Sequence, residues 1–263
     1  MPGFDWITMT TDYGLSDGFA GMLHGVIALH APWVRIIDIT HQIPPGDVPR
    51  GAAILAQAVS HFPPAVHIGV VDPGVGTTRR AVALETPRGI LVGPDNGLLP
   101  GAADALGGVL SVVRLTERSW FLPEVSSTFH GRDVFAPVAA RLAAGVPVAD
   151  AGPALDPDAL VRLPDPVVNA GDGFLEAEVL TVDRFGNVQL AAPGSALDGL
   201  AESLLVGGVR ATRATTFAEG KPGGLIVYVD SAGKVAIAIN GGRAVVALAV
   251  TPGDVLRISE ASP

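Results

Sequence analysis

Short apolar, strand-like runs alternate with helix-like segments through the first half of the chain. The strand-like runs lie at residues 6–11, 34–39 and 66–71, and helix-like segments at 19–29 and 48–62 separate them. Strands that alternate with helices indicate a mainly parallel sheet covered on both faces. The pattern therefore predicts an α/β fold for this half.

The segment at residues 48–62 has the clearest helical period of the chain. Its apolar side chains at 54, 55, 58, 59 and 62 form one stripe that faces a sheet. Asp47 precedes the segment, at the position where a carboxylate accepts hydrogen bonds from the first helical N–H groups. The sequence predicts a helix that begins after Asp47.

The pattern changes near residue 145. A stretch at residues 146–173 contains five prolines and is typical of a linker. Beyond it, strand-like runs follow one another between glycine-rich turns, at residues 175–182, 204–206, 225–229, 235–239 and 244–250. Consecutive short strands without a long helix predict an antiparallel barrel or sandwich.

Composition excludes several classes of protein. The 263 residues include 17 Lys and Arg against 26 Asp and Glu, so the net charge is −9, and the basic residues form no run. Nucleic acids and anionic membranes are therefore not expected partners. Cysteine is absent, which excludes disulfides, thiol catalysis and Cys-ligated metals. Without a signal-like start or a long apolar run, we expect a soluble, cytoplasmic protein.

The loop that opens at Asp72 is the strongest candidate for a functional site. Asp72 follows an apolar run, at the strand end where α/β folds bind ligands. Pro73 stops the strand, and Gly74 and Gly76 permit a tight turn with a close backbone approach. Asp72 and Arg79 then lie at the two ends of one loop. Two interpretations stay open, a catalytic pair or an exposed ion pair of little energetic importance.

Other kinds of site have weaker support. The stretch at residues 74–79 lacks the third glycine and the lysine of nucleotide-phosphate loops. Asp12, Asp72, Asp95 and His130 offer metal ligands, but no metal-site spacing is present, so no metal is expected. The G-x-S-x-G motif of serine hydrolases is absent. A lone histidine such as His130 is commonly a core residue, although its polar neighbours indicate a helix entrance.

Six short motifs, in the same order, resemble those of the S-adenosyl-L-methionine hydroxide adenosyltransferases. They are Thr-Thr-Asp-Tyr-Gly at 10–14, Ile-Thr-His-Gln-Ile-Pro at 39–44, Val-Asp-Pro-Gly-Val-Gly-Thr at 71–77, Gly-Pro-Asp-Asn-Gly at 93–97, Thr-Phe-His-Gly-Arg-Asp at 128–133 and Asp-Arg-Phe-Gly-Asn at 183–187. Enzymes of this family hydrolyse S-adenosyl-L-methionine to adenosine and L-methionine, and they are related to fluorinating and chlorinating enzymes.

The resemblance implies a two-domain architecture. Residues 1–165 would form an α/β domain with a Rossmann-like, mainly parallel sheet, including the linker, and residues 166–263 an antiparallel β-barrel. It also implies a homotrimer with sites at the subunit interfaces. No cofactor is implied, because S-adenosyl-L-methionine is the substrate itself.

Asp72, Arg79 and His130 match the Asp-Arg-His triad of the hydrolases. The related halogenases have Tyr in place of Asp72 and Tyr-Ser in place of His130 and Gly131. The charge of Asp72 would repel a halide, which favours hydrolysis. A chlorinase-like, halide-dependent transferase and a non-catalytic adenosine-binding protein stay open as alternatives.

By resemblance, ten further residues bind the substrate: Asp12, Asp17, Asn96, Asp183, Phe185, Asn187, Phe217, Tyr228, Ser231 and Asn240. The ribose hydroxyls are assigned to Asp12, and the adenine to Phe185, Phe217, Asn187 and the loop that Asn240 shapes. The methionine end is assigned to Asp17, Asp183, Tyr228 and Ser231. The plain alternatives are barrel core for the two phenylalanines and turn formation for Asn187 and Ser231.

Two positions depart from the related halogenases. Gly46 stands in place of a tryptophan that lines their pocket, and Ala232 stands in place of an arginine near the amino-acid carboxylate. Both departures concern recognition of the methionine side of the substrate.

Overall fold

The computed structural model describes residues 3–261. The chain divides between Leu163 and Pro164 into two compact units, here named unit 1 and unit 2. In the described part of the chain, no helix is both long and apolar enough to cross a bilayer.

Unit 1 is built on a six-stranded sheet. Its strands are β1 (Trp6–Thr11), β2 (Arg35–Thr40), β3 (Ala65–Val70), β4 (Ala81–Thr86), β5 (Gly89–Pro94) and β6 (Ser111–Arg114), in the order β2-β1-β3-β5-β4-β6. The first four strands of that order pair in parallel, and β4 pairs antiparallel with both β5 and β6. The predicted mainly parallel sheet is confirmed.

Helices cover both faces of this sheet. They are α1 (Phe19–His30), α2 (Val48–Val59), α3 (Pro100–Ala105) and α4 (Ala136–Ala143), and a π-helical turn (Gly131–Phe135) leads into α4. Asp47 caps α2 as predicted, accepting a hydrogen bond from Arg50 N at 3.1 Å. Helix α2 ends at Val59, three residues before the predicted end at Phe62. Pro63 disfavours a helical backbone at Phe62, the residue before it.

Strands β3 and β5 are buried at every position, which explains why both are mainly apolar in sequence. On one face, Leu23 and Ile27 of α1 share a buried cluster with Phe135. On the other face, Leu55 of α2 packs in a cluster with Leu98. The strand ends that carry Asp12 and Asp72 are therefore fixed by packing on both sides.

Unit 2 is a closed β-barrel. Its strands are β7 (Val168–Gly171), β8 (Phe174–Val182), β9 (Val188–Pro193), β10 (Ser203–Val206), β11 (Val209–Arg213), β12 (Leu225–Val229), β13 (Lys234–Ile239) and β14 (Val255–Glu260). The barrel closes because β14 pairs with both β10 and β8, and β7 extends the sheet beside β8. All neighbouring strands pair antiparallel except β11 and β12. These two strands are joined by residues 214–224 and pair in parallel.

The strand predicted at residues 244–250 is wrong. This segment forms a short helix, α5 (Ala244–Leu248), that ends at Ala249 in the left-handed conformation, with φ of 52°. A short apolar run does not distinguish a strand from a helix by periodicity. The helix is favoured here because Val245 N donates to Gly186 O at 3.0 Å, which ties its first turn to a neighbouring loop.

We predict that His67 makes unit 1 sensitive to acid. His67 lies in β3, fully buried, and burial, assisted by Arg88, lowers its pKa to about 4. Below pH 6.5 the unfolded chain binds a proton at this residue that the folded chain does not. The free energy of unfolding should therefore fall by about 3 kcal/mol between pH 6.5 and 4 on account of this group.

The measurement is urea unfolding of the parent, His67→Gln and the exposed His61→Gln as a function of pH. His67→Gln should lose this part of the pH dependence whatever its stability at pH 7, and His61→Gln should retain it. Parallel pH profiles for all three proteins would contradict the prediction.

Candidate active site at the ends of strands β1 and β3

The loop after β3 turns back on itself and brings its two ends together. Val75 N donates to Asp72 O at 3.2 Å, which closes the first turn. Gly76 has φ of +77°, and a Cβ at this position would collide with the carbonyl oxygen of Ser127. Only glycine satisfies both conditions. The loop therefore places Arg79 directly against Asp72.

Arg79 and Asp72 form a bidentate ion pair. Arg79 Nε donates to Asp72 Oδ1 at 3.0 Å, and Arg79 Nη2 donates to Asp72 Oδ2. The side chains are only 9% and 5% exposed, and the guanidinium lies 5.4 Å from the centre of the Phe135 ring. The alternative of an exposed ion pair is wrong, because this pair is almost fully removed from solvent.

The same guanidinium fixes the protonation of His130. Arg79 Nη2 lies 3.1 Å from His130 Nδ1. A guanidinium only donates, so Nδ1 must accept and the ring proton must be on Nε2. Burial, followed by the charge of Arg79, lowers the pKa of His130, whereas Asp72 and Asp133 act in the opposite direction. His130 is therefore neutral near pH 7.

His130 stands at the entrance of the π-helical turn, as its polar neighbours indicated. Buried Asp133 anchors this turn by accepting hydrogen bonds from Ser126 N at 2.8 Å and from Arg132 Nε at 2.6 Å. A Cβ on Gly131 would collide with the hydroxyl of Tyr13. The absence of a side chain at Gly131 is thus what allows Tyr13 to lie against this backbone.

A pocket of about 300 Å³ lies at the ends of strands β1 and β3. It is lined by Asp12, Tyr13, Pro45, Gly46, Val70, Asp72, Pro73, Val75, Thr128, His130 and Gly131. Asp12 Oδ2 accepts a hydrogen bond from Gly46 N at 2.9 Å, which fixes the carboxylate. Burial, and to a lesser extent the charge of Asp72, raise the pKa of Asp12 against the opposing backbone hydrogen bonds. The lining His130 is not a core histidine.

Three of the candidate residues in unit 1 do not line this pocket. Arg79 contacts the lining residues Asp72 and His130. Within the described part of the chain, Asn96 and Asp17 form no hydrogen bond or ion pair with either of these lining residues. Asn96 Nδ2 donates to Val71 O at 2.8 Å, and its Oδ1 accepts from Leu98 N, so its side chain tethers the loop after β5 to the end of β3. Asp17 is exposed in the loop before α1. The structure thus joins Asp12, Asp72, Arg79 and His130, and it leaves Asn96 and Asp17 outside that group.

In unit 2, the candidate residues form local pairs. The carboxylate of Asp183 accepts hydrogen bonds from Asn187 N at 2.9 Å and from Asn187 Nδ2 at 2.7 Å. The rings of Tyr228 and Phe217 lie 5.2 Å apart. Burial, followed by the charges of Asp183 and Asp230, raises the pKa of Tyr228 to about 12.

The remaining candidates of unit 2 lie at its surface or in its loops. Phe185 and Phe217 are 75% and 50% exposed, so the barrel-core alternative is wrong for both. Asn240 Nδ2 donates to Gly220 O at 2.8 Å and thereby shapes the loop before β12. Ser231 is exposed in the turn between β12 and β13.

Tyr13 and Thr128 line the pocket and are not among the residues predicted from the sequence. Each lies inside one of the six sequence motifs, one residue after Asp12 and two before His130. The signal that would have found Tyr13 is a polar aromatic residue directly after a strand-end carboxylate. Burial raises the pKa of Tyr13 and keeps its hydroxyl protonated.

Two family models together cover most of the chain. The SAM hydroxide adenosyltransferase N-terminal domain matches residues 7–152, and the C-terminal domain of the same family matches residues 177–257.

Whole proteins and solved structures are similar over nearly the full length. A protein of Salinispora arenicola named (R)-S-adenosyl-L-methionine hydrolase is 62% identical over 98% of this chain and 99% of its own. A fluorinase of Actinoplanes sp. is 28% identical, covering 89% of this chain and 90% of its own. The crystal structure of an uncharacterized conserved protein from Thermotoga maritima has a TM-score of 0.90 at 36% identity, covering 97% of this chain and all of that one. This chain belongs to the SAM hydroxide adenosyltransferase family.

Proposed function

We propose that this protein hydrolyses S-adenosyl-L-methionine to adenosine and L-methionine. The observation that carries the proposal is the contact of the nearly buried Asp72–Arg79 ion pair with His130, at a pocket beside Asp12. The similarity to a named hydrolase over the full length supports it. Because that relative's name specifies the (R) form, we propose the (R) configuration at the sulfonium as the preferred substrate.

The reaction consists of one displacement at carbon. The oxygen of a water attacks the ribose C5′, the C5′–S bond breaks, and its electron pair returns to sulfur to give the neutral thioether of methionine. The water loses one proton, so the products are adenosine, methionine and H⁺. The leaving group requires no acid. The barrier lies in the weak nucleophile, which must be held in line and helped to lose its proton.

Arg79 and His130 supply the two groups that the water requires. The positive guanidinium, held in a nearly dry position, favours hydroxide character in the nucleophile. His130 accepts from Arg79 at Nδ1 and therefore has its proton on Nε2, with which it donates a hydrogen bond to the water. Because Nδ1 is occupied, His130 positions the water rather than removing its proton.

Asp72 acts through Arg79, and Asp12 acts on the sugar. Both oxygens of Asp72 accept from the guanidinium, which leaves this carboxylate to orient Arg79. Arg79 also neutralises Asp72, so the repulsion of a halide is weaker than an isolated carboxylate would give. Asp12 has one oxygen engaged by Gly46 N, and we assign the other to the ribose hydroxyls.

The rest of the substrate is assigned to residues away from this pocket. Adenine is assigned to exposed Phe185 and Phe217, with Asn187 and the loop shaped by Asn240 at its edge. The methionine end is assigned to Asp17, Asp183, Tyr228 and Ser231. Asn96 supports the pocket through its hydrogen bond to Val71 O.

We also propose that the protein is a cytoplasmic homotrimer that requires no cofactor, no metal for hydrolysis, and no nucleic acid or membrane. Exposed apolar side chains in and beside α1 support association with further copies: Leu15, Phe19, Met22, Leu29 and Trp33. Association would remove this surface from water, which is favourable.

Incubation in oxygen-labelled water tests the reaction directly. The (R) and (S) forms of S-adenosyl-L-methionine are incubated separately with the protein, with and without chloride, and the products are analysed by mass spectrometry. We expect label in the 5′-hydroxyl of adenosine, faster turnover of the (R) form, and no effect of chloride. Formation of 5′-chloro-5′-deoxyadenosine would identify a halide transferase, and adenosine binding without turnover would identify a binding protein.

Arg79→Lys should lower kcat at least about 100-fold while adenosine still binds. A lysine lacks the planar fork, so it cannot contact both oxygens of Asp72 and Nδ1 of His130 together. The matched control is Arg162→Lys, which alters an exposed pair with Asp104 at 3.1 Å and should turn over like the parent. Turnover by Arg79→Lys at the rate of the parent would contradict the role proposed for the planar guanidinium.

The acid limb of kcat/KM should lie below pH 6.5. Protonation of His130 would place a new N–H against Arg79 Nη2 and disrupt the network, and its pKa is lowered from 6.5 by burial and by Arg79. Activity should therefore be retained at pH 6.5 and lost as the pH falls through the lowered pKa. His130→Asn should show residual activity without this limb, which separates it from the titration of Asp12. An inflection above pH 6.5 in the parent would contradict the prediction.

A further inference from the structure

Three ligating side chains meet on the surface of unit 1, away from the pocket. His24 lies on α1, Asp38 on β2, and His41 directly after β2. His24 Nε2 lies 2.9 Å from Asp38 Oδ1, and His41 Nε2 lies 3.1 Å from the same oxygen. One ligand atom from each residue lies within 4.8 Å of the other two.

The ring of His41 is buried and held from its other nitrogen. His41 is 2% exposed, and its Nδ1 lies 2.8 Å from Thr11 Oγ1. In the tautomer in which Nδ1 donates to this hydroxyl, the free electron pair is on Nε2, which lies 3.1 Å from Asp38 Oδ1. A histidine that binds a metal through one ring nitrogen usually donates a hydrogen bond from the other.

Nε2 of His41 has no hydrogen-bond partner within residues 3–261. Asp38 Oδ1 is close, at 3.1 Å, but the two atoms do not meet the geometry of a hydrogen bond. The carboxylate is instead engaged by His24 Nε2, at 2.9 and 3.1 Å from its two oxygens. In the tautomer with the proton on Nδ1, hydrogen bonds alone would thus leave His41 Nε2 as a buried, unsatisfied acceptor, which is unfavourable and which a metal ion would satisfy.

We propose that His24, Asp38 and His41 bind a divalent transition-metal ion, with Zn²⁺ as the first choice. Tetrahedral Zn²⁺ at about 2.0–2.2 Å from its ligands holds those ligand atoms roughly 3.3 Å apart. The contacts of 2.9 and 3.1 Å require only a small opening. Two imidazoles and one carboxylate form a donor set suited to Zn²⁺ and to other divalent transition metals.

Solvent reaches two of the three side chains. The side chains of His24 and Asp38 are 37% and 39% exposed, so an ion can enter and water can complete its coordination. None of the three residues lines the pocket, but the backbone oxygen of His41 accepts from Gly14 N at 2.7 Å. The ion would therefore stabilise the chain beside Asp12 without contacting the substrate.

This site differs from the ligand set that the sequence suggests, Asp12, Asp72, Asp95 and His130. The structure places Asp72 and Asp95 of that set in ion pairs with Arg79 and Arg80. The cluster at α1 has no motif in the sequence because its ligands are 14 and 3 residues apart, on a helix, a strand and a loop.

The test uses the full-length chain without an affinity tag, stripped of metal with EDTA. Calorimetry measures Zn²⁺ binding, visible absorption follows Co²⁺ as a spectroscopic substitute, and thermal unfolding is recorded with and without Zn²⁺. We expect one ion bound per chain and a higher Tm with Zn²⁺. Bound Co²⁺ should give visible absorption bands typical of an ion with few ligands, all of them nitrogen or oxygen.

Two variants and one control decide the assignment. His24→Ala and Asp38→Asn should each weaken Zn²⁺ binding at least tenfold and lose the rise in Tm. His30→Ala removes an exposed histidine from the same helix and should bind like the parent. Absence of stoichiometric binding by the parent, or equal binding by all four proteins, would overturn the proposal. Circular dichroism confirms that each variant is folded.

Discussion

The ion pair between Arg79 and Asp72 is the interaction on which the site depends. Both side chains are nearly excluded from water, so removing either partner would leave a buried charge unpaired, a change that typically destabilises by about 3–5 kcal/mol. The paired geometry fixes the plane of the guanidinium and leaves Nη2 directed at His130 as well. One side chain thus sets the position of a carboxylate and the protonation of an imidazole, and the network acts as a unit.

Backbone close contacts make this arrangement rigid before substrate binds. Strand β3 is buried throughout, and the loop that follows it passes the carbonyl of Ser127 at a distance that only Gly76 permits. Gly131 similarly admits the hydroxyl of Tyr13. A site built from such contacts cannot relax far, so its charges are oriented without further reorganisation during the reaction.

Much of the fold was predictable because burial leaves a periodic pattern in the sequence. Strands β3 and β5 read as apolar runs since both faces are covered, and α2 shows a stripe and a cap. The helix α5 was mispredicted because its short Ala and Val run has no period that excludes a strand. The motifs pointed to Asp72, Arg79 and His130, but no local pattern indicates that Arg79 packs against Phe135, which lies far along the chain from it. Likewise, no local pattern indicates that Asn96 tethers Val71 or that His24 meets His41.

The charges of the site favour binding of the substrate, approach of the nucleophile and release of the products. Asp72 and Arg79 cancel and His130 is neutral, so the carboxyl of Asp12, whose pKa is raised by burial, is the remaining lining group that can give the pocket a net negative charge. This charge attracts a sulfonium cation, and the guanidinium attracts the hydroxide-like oxygen that approaches it. As the C5′–S bond breaks, the positive charge on sulfur disappears, and with it the attraction to Asp12. The same carboxylate therefore favours binding of the substrate over its products, because only the substrate carries a positive charge at the reacting bond.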